Sequence, residues 1–272
     1  MKPAPFDYLR AETLAEAHAL LAAEGGDAAV IAGGQTLVPL LSMRMARPKV
    51  VLDIMRIAEL AGIAVEGGAI RVGASVRQAE LLAWPDLAAR QPLLAQALPW
   101  VGHAQTRARG TVCGSVALAD PSAELPLCLL ALGGDVVLSS RSGQRRIAAD
   151  DFFTGLMSTA RNDDELIEAV SFPCRRPGEG FAFREFARRH GDFAIVACAA
   201  VVTEKCVRLA IGGVADRAVM REFAADSALD DALHDFAAEL DARDDLHATA
   251  DYRRDLVRKI GAQTVAEAKC RA

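Results

Sequence analysis

The sequence predicts an α+β protein of two domains, and three observations support this prediction. Strand and helix patterns alternate in the first part of the chain, whereas the last part has strands first and helices afterwards. The second pattern is typical of a sheet covered by helices on one side. A cluster of arginine, proline and glycine over 175–180 separates the two parts and predicts a domain boundary. A chain of 272 residues, 52% of them hydrophobic, can bury two cores.

The first predicted domain spans 1–174 and begins with a small α/β subdomain at 1–55. Leucines and alanines at helical spacing predict a helix, which the pair Gly25–Gly26 ends. A short buried strand, an apolar helix and a second strand follow it. The predicted ranges are a helix over 13–24, a strand over 30–32, a helix over 36–45 and a strand over 49–54.

A larger α+β subdomain is predicted over 56–174. It opens with a hairpin whose strands, 64–66 and 69–74, meet at the turn Gly67–Gly68. The segment 151–155 is interpreted as a loop. The other predicted elements are helices over 76–84 and 125–132 and strands over 135–139, 145–148 and 165–172.

The second predicted domain spans 178–272. Three apolar runs predict strands over 181–187, 193–204 and 207–211. From 230 to 268 apolar residues recur on one face at helical spacing, which predicts the helical layer of this domain.

Two glycine-containing turns are the most informative local features. The first, Ala32–Thr36, follows a strand and precedes an apolar helix, and the second, Thr111–Ser115, lies about 75 residues later. Glycine lets main-chain amides approach an anion closely, so two such turns make a dinucleotide site the first hypothesis. The alternative for each turn is a tight connection that needs glycine for steric reasons only. The fingerprint G-x-G-x-x-G is absent, which gives no support to an NAD site of the Rossmann type.

Charge and residue spacing exclude several classes of function. The net charge of −5 gives no reason to expect nucleic acid or an anionic membrane as a partner. The six cysteines form no Cys-x-x-Cys pair and the five histidines no helical pair, so we expect no cluster or metal on this chain. Scattered thiols favour a reducing compartment, and no segment has the pattern of a signal or a membrane helix. We therefore expect a cytoplasmic protein without a membrane span.

Longer motifs around the two turns make the sequence similar to a known family. The turns, extended to Leu37 in the first case, and the segment Ala119–Pro126 together resemble the FAD-binding medium subunits of the molybdenum hydroxylases. This is the family of xanthine dehydrogenase and carbon monoxide dehydrogenase. The resemblance continues through Phe152–Gly155 and through Phe183–Ala194, and thus covers the whole chain.

The resemblance implies a two-part FAD-binding domain of the PCMH type, followed by a C-terminal α+β domain. It also implies that the two turns wrap the diphosphate of FAD. The residues that it assigns to this role are Ala32, Gly33, Gly34, Gln35, Thr36, Thr111, Cys113, Gly114 and Ser115.

Three further residues match positions that lie near the cofactor in the family. Glu124 resembles a carboxylate that binds the ribose or adenine end, with the first turn of a helix as its purely structural alternative. Arg184 occupies a position at which many members carry lysine near the flavin, and Phe193 that of an aromatic ring beside the isoalloxazine. The alternatives are a surface strand residue for Arg184 and a core ring for Phe193.

Two features of the turns bear on the cofactor. Cys113 replaces the first glycine of the usual Thr-x-Gly-Gly turn, so this position has to tolerate a Cβ, and we expect a negative φ there. The first turn carries Gln35 and Thr36, and neither is a residue to which related flavoenzymes attach FAD covalently. Noncovalent FAD is therefore expected.

The family implies an oxidoreductase subunit that transfers electrons. In this hypothesis a large molybdopterin-binding subunit and a small iron–sulfur subunit accompany the chain, in a dimer of heterotrimers, and FAD passes the electrons to an external acceptor. No residue of this chain is assigned a catalytic role. The alternative is a free-standing FAD oxidase or dehydrogenase, for which residues such as His103 and His190 are acid–base candidates. A nonenzymatic binding module is a third hypothesis.

Overall fold

The computed structural model of the protein describes residues 2–225 and 227–272. The chain begins with a three-stranded parallel sheet in the order β1-β3-β2. Its strands are β1 (Asp7–Arg10), β2 (Ala28–Ile31) and β3 (Val50–Asp53), and its helices are α1 (Leu14–Glu24) and α2 (Leu37–Ser42).

Strand β2 differs from its prediction in burial. All four of its residues are half-buried, whereas the sequence predicted a buried strand. The reason is its place at the edge of the small sheet, where it pairs with β3 only. Its open edge is available to line a site.

A five-stranded sheet follows, in the order β4-β5-β10-β6-β7. All of its pairings are antiparallel. The predicted loop 151–155 is wrong, because this segment contains the end of a short helix, α9 (Ala149–Phe152), and the first strand of a two-stranded ribbon. The strands are β4 (Ile63–Glu66), β5 (Ala69–Gly73), β6 (Asp135–Ser140), β7 (Gly143–Ala148), β8 (Phe153–Gly155), β9 (Ser158–Thr159) and β10 (Leu166–Pro173).

A run of helices lies between β5 and β6, and most of it was not predicted. The segment Thr111–Ser115, predicted as a turn, contains the first residues of helix α7, with Thr111 as its N-cap. Every residue of helix α8 is buried. The helices are α3 (Gln78–Ala83), α4 (Leu87–Arg90), α5 (Pro92–Ala97), α6 (Ala104–Arg107), α7 (Val112–Leu118) and α8 (Glu124–Leu132).

The C-terminal part forms a four-stranded antiparallel meander, β11-β12-β13-β14, and two helices. The last strand was not predicted, and the predicted helical region 230–268 contains two helices with a break between them. The elements are β11 (Gly180–Phe186), β12 (Val196–Val202), β13 (Cys206–Gly212), β14 (Val219–Ala224), α10 (Leu229–Glu239) and α11 (Ala250–Lys269).

Strand β12 is buried on both faces and joins the two parts of the chain. Ala197, Ala199 and Val201 belong to the core shared with the N-terminal part, whereas Cys198 and Ala200 belong to the core under α10 and α11. Because neighbouring side chains of a strand point to opposite faces, this alternation shows a sheet packed between two layers. The helices of the C-terminal part lie on one side, as predicted, and α5 and α8 of the N-terminal part cover the other.

No helix among the described residues has both the length and the apolar character that a membrane crossing requires.

Candidate functional site

A cleft of about 1120 Å³ lies between the N-terminal and C-terminal parts of the chain. Strand β2, both glycine turns and loops of the C-terminal part line it. Of the twelve predicted site residues, all except Arg184 lie in its wall. These residues are Ala32, Gly33, Gly34, Gln35, Thr36, Thr111, Cys113, Gly114, Ser115, Glu124 and Phe193.

The first turn presents a row of free main-chain donors. Within residues 2–225 and 227–272, the N–H groups of Gly34, Gln35 and Thr36 donate to no protein acceptor. Gly34 has a φ of +71°, which a residue with a side chain adopts only with strain. Thr36 is exposed and its hydroxyl does not cap helix α2. Successive free amides in a turn form an anion-binding concavity, so this turn is suited to a phosphate.

Gly33 is needed for contact between the two turns. A Cβ at this position would lie 2.2 Å from the carbonyl oxygen of Arg109 and 2.7 Å from the Cα of Gly110. No side chain fits in that space. The close approach predicted for this glycine is therefore an approach to the main chain before the second turn, and it fixes the distance between the two turns.

The second turn is the start of helix α7. The Thr111 hydroxyl accepts a hydrogen bond from the Gly114 amide at 3.1 Å, and a Cβ on Gly114 would lie 2.7 Å from that hydroxyl. Cys113 is helical, without the positive φ that favours glycine, which explains why cysteine is accepted. Its thiol is buried and donates to the carbonyl of Val72. Burial raises the pKa of the Cys113 thiol to about 12, so it stays protonated.

Glu124 is a buried acid in the cleft wall. It is the first residue of α8 and only 7% exposed. Burial raises its pKa to about 7, the charge of Asp120 adds to the increase, and Arg107 opposes it. Arg107 itself donates to the carbonyl groups of Pro99, Val101 and Gly102.

Phe193 presents its ring to the cleft without protein cover. It was predicted inside a strand, but it lies in the loop before β12 and is 71% exposed. The same loop is fixed to the N-terminal part by His190, whose ring stacks on Trp100 with 4.7 Å between centroids. An uncovered aromatic ring that lines the same cleft as free amide donors is available to a flat ligand. This arrangement does not support the alternative of a core ring.

Arg184 is directed away from the cleft. Along β11, Phe181 and Phe183 belong to the core shared with the N-terminal part, so Arg184 belongs to the opposite face. Its Nε donates to Glu267 of helix α11 at 3.0 Å. This position does not support the prediction that Arg184 lies near the flavin and agrees with the alternative of a surface strand residue. Glu185 is its neighbour on the face that carries the two phenylalanines.

Sequence reasoning missed Arg253, which holds the loops at the C-terminal side of the cleft. Its side chain is 5% exposed. It donates to the carbonyl oxygens of Ile195 at 2.7 Å and Gly213 at 2.6 Å and pairs with Asp245. The signal in the sequence is an arginine three residues before Leu256, on the apolar face of α11.

The two histidines considered as acid–base candidates do not line the cleft, although their neighbours Gly102 and Gly191 do. A Cβ on Gly191 would lie 2.6 Å from Nδ1 of His103, so both histidines belong to the contact that fixes the loop. They therefore give no support to a free-standing oxidase.

Two family models match the chain. Residues 4–175 match the FAD binding domain in molybdopterin dehydrogenase, and residues 181–268 match the CO dehydrogenase flavoprotein C-terminal domain. Among curated proteins, the chain is 39% identical to the 6-hydroxypseudooxynicotine dehydrogenase complex subunit alpha of Paenarthrobacter nicotinovorans, over 100% of this chain and 97% of that protein. It is 36% identical to the carbon monoxide dehydrogenase medium chain of Hydrogenophaga pseudoflava, over 82% of this chain and 79% of that protein.

Solved structures agree over the full length. A chain of the reconstituted CO dehydrogenase of Oligotropha carboxidovorans superposes with a TM-score of 0.95 at 31% identity, covering 100% of both chains. A chain of quinoline 2-oxidoreductase from Pseudomonas putida 86 gives a TM-score of 0.92 at 32% identity, covering 99% of both. These relatives are subunits of oxidoreductases, and the predicted two-part fold and FAD-binding domain are confirmed. The chain belongs to the family of FAD-binding medium subunits of the molybdenum hydroxylases, which includes the CO dehydrogenase medium chains.

Proposed function

We propose that this chain carries noncovalent FAD in the cleft and transfers electrons within a molybdenum hydroxylase. The observation that carries the proposal is the row of free amides over Gly34–Thr36, held by Gly33 against the second glycine turn. A diphosphate supplies acceptor oxygens for these donors, and the cleft of about 1120 Å³ has room for a dinucleotide. The residues present therefore fit FAD.

Different residues of the chain would bind different parts of FAD. The first turn would hold the diphosphate through its amides and the Thr36 hydroxyl, and Ser115 of the second turn also lines the cleft. Phe193 would cover the ring system, and the carboxyl group of Glu124 would meet a polar part of the cofactor. When bound, FAD supplies two-electron redox chemistry, so the protein has only to bind, orient and shield it. Arg184 has no part in this site.

We propose two partner chains for the complex. A large subunit would hold molybdopterin and oxidise the substrate, and a small subunit with iron–sulfur clusters would pass the electrons to this chain for an external acceptor, in a dimer of heterotrimers. The names of relatives support a complex, since one is named a complex subunit and others medium chains.

The six free cysteines agree with a cytoplasmic location. The change of sheet between the end of β10 at Pro173 and the start of β11 at Gly180 supports domains at 1–174 and 178–272.

The proposal is tested on the purified full-length chain. We expect flavin absorbance that acid precipitation releases into the supernatant as FAD, at one equivalent per chain, and no turnover of organic substrates without partners. A chain that binds no flavin, or that oxidises a substrate alone, would contradict the proposal, and the second result would favour the free-standing oxidase.

A further inference from the structure

The wall of the cleft contains more acidic than basic side chains. Among the described residues, seven aspartates and glutamates line it, against four arginines. The proposed cofactor adds the negative charge of its diphosphate. An arginine that is not already paired with the protein is therefore the side chain best suited to offset added negative charge there. The four arginines are Arg161, Arg188, Arg243 and Arg253.

Three of these arginines already have partners in the protein. Arg161 donates to three main-chain carbonyl groups of its own loop. Arg243 pairs with Asp216 at 2.6 Å. Arg253 pairs with Asp245 and binds the two carbonyl groups described above. These guanidinium groups stabilise the cleft wall and have few donors left for a ligand.

Arg188 differs from the other three. Within residues 2–225 and 227–272 its guanidinium makes neither a hydrogen bond nor an ion pair. The side chain is exposed and lines the cleft. A guanidinium stays charged throughout the physiological pH range and has five N–H donors. Arg188 therefore presents an uncompensated positive charge to whatever occupies the cleft.

The main chain around Arg188 is fixed on the protein. The Ile195 amide donates to the carbonyl of Phe186 at 2.8 Å, which closes the base of the loop. Within the loop, His190 stacks on Trp100. A fixed main chain limits the positions that the guanidinium can take, so the charge is close to the cleft before a ligand binds.

The position of this loop indicates which part of the ligand the charge would meet. The same loop carries Phe193, whose uncovered ring also lines the cleft. The diphosphate has its own donors in the free amides of the first turn, which belongs to the N-terminal part of the chain. Arg188 is thus grouped with the ring that would cover the isoalloxazine.

From this arrangement we propose that Arg188 places its positive charge beside the ring system of the cofactor and stabilises the reduced form over the oxidised form. The inference rests on the proposed function, since it needs FAD in the cleft and electrons from the iron–sulfur partner. It gives Arg188 a role in setting the redox potential, which is separate from the binding of the diphosphate.

The charge balance of reduction explains the preference. Uptake of two electrons from the partner and one proton from solvent adds one negative charge to the ring system. A positive charge nearby lowers the free energy of this state and leaves the neutral oxidised ring almost unaffected. Arg188 accepts neither an electron nor a proton. The proton returns to solvent when the external acceptor removes the electrons.

The test measures the midpoint potential of the FAD-loaded, full-length chain and its affinity for oxidised FAD. We expect Arg188→Gln to weaken the binding of reduced relative to oxidised FAD about two- to fivefold, which lowers the midpoint potential. Arg188→Lys keeps the charge and should keep most of the wild-type potential. Because the side chain is exposed, the difference between wild type and Arg188→Gln should shrink at high salt.

Arg189→Gln is the matched control. It removes the same charge one position along the loop, but this side chain is 81% exposed, lies 3.9 Å from Asp192 and does not line the cleft. We expect the control to keep the wild-type potential. With FAD bound in every variant, an unchanged potential in Arg188→Gln, or an equal decrease in both variants, would overturn the inference and leave the proposed function intact.

The affinity measurement separates two roles of the arginine. If Arg188→Gln weakens the binding of oxidised and reduced FAD equally, the side chain contributes to binding alone, and the inference is overturned. A wild-type chain that binds no FAD would instead contradict the proposed function.

Discussion

Gly33 and Gly114 are small for reasons that the sequence did not reveal. Both were expected to admit a cofactor phosphate, yet the space beside Gly33 holds the main chain of Arg109, and the space beside Gly114 holds the Thr111 hydroxyl. The absence of a Cβ at these glycines lets parts of the protein pack closely together, and the ligand does not occupy the space beside them. The amides that remain free belong to Gly34, Gln35 and Thr36.

Gly33→Ala should separate the two turns and weaken FAD binding. The added Cβ meets main-chain atoms that cannot rotate away, so we expect a loss of about 1–3 kcal/mol in the free energy of unfolding and loss of flavin on gel filtration. Gly155→Ala is the matched control, since nothing lies within 4 Å of a Cβ there. Flavin retention and urea unfolding measure both effects, and full retention by Gly33→Ala would contradict the role of this contact.

Phe193→Ala should reduce affinity for FAD without changing stability. The ring is 71% exposed, so its loss should change the free energy of unfolding by less than about 0.5 kcal/mol. A ring that stacks on the cofactor contributes about 0.5–1.5 kcal/mol, or roughly a two- to tenfold change in Kd. Met45→Ala removes another exposed side chain outside the cleft and serves as control. Unchanged FAD affinity would remove Phe193 from the site.

Arg184 lies on the face of β11 that meets helix α11, although the motif around it predicted a position near the flavin. A motif locates a charged residue to within a position or two, but in a strand one position reverses the face. Phe181 and Phe183 indicated the buried face, and the same alternation includes Glu185. Counting alternate residues from Phe181 and Phe183 would have placed Arg184 on the face that α11 covers.

At the scale of elements, helix α11 determines the shape of the C-terminal wall of the cleft. Arg253 binds the main chain at the start of β12 and after β13, and it also pairs with the segment before α11. Three loops of the cleft thereby depend on one side chain. Such a residue carries no motif, and only its position on an apolar helix face indicates it.

Arg253→Met should destabilise the chain and loosen the loop that carries Phe193. The variant keeps most of the side-chain volume but leaves the carbonyls of Ile195 and Gly213 without their donor, at a cost of about 1–3 kcal/mol for each buried group. Arg258→Met is the control, since this side chain on the same helix is 41% exposed. Urea unfolding together with proteolysis of the loop measures the effect, and equal stability of the two variants would contradict it.

The predictability of the elements follows from their hydrophobic patterns. The hairpin β4–β5, the helix α8 and the strands β6, β7 and β10 have clear periodicity and are found close to their predicted bounds. The short helices α4 to α7 have four to seven residues each, too few to establish a period. Tertiary contacts stabilise these helices, and their sequences show no clear period. For this reason the segment Thr111–Ser115, which begins α7, was predicted as a turn.

At the scale of the whole molecule, the two parts are joined through a sheet with two buried faces. The helices of the C-terminal part and those of the N-terminal part cover opposite sides of β12, and the cleft lies along this junction. The sequence predicted helices on one side only, because the helices on the other side, α5 and α8, lie roughly 70 to 100 positions earlier in the chain. Glu124 and the carboxylate oxygens of Glu185 are buried at the same junction.

This burial predicts how stability depends on pH. Both acids have a folded-state pKa above the unfolded value, so the unfolded chain binds fewer protons than the folded chain once the pH exceeds about 4.5. The contribution of the protonated acids to the free energy of unfolding is complete below that pH and is lost as the pH rises through about 7 to 8. The FAD-free chain should therefore become less stable from pH 6 to 8.5 in urea titrations, and Glu185→Gln should flatten the dependence. Stability that rises over this range equally in both would contradict the burial of these charges.

The proposed role of this chain as the FAD-carrying subunit of a larger molybdenum hydroxylase predicts a defined assembly. Native mass spectrometry of the complex recovered through an affinity tag on this chain, from the cell that produces it, measures that assembly. We predict an assembly that holds one FAD for each copy of this chain, together with a large molybdopterin chain and a small iron–sulfur chain. A chain recovered alone with its flavin and able to oxidise a substrate, or one recovered without flavin, would contradict it.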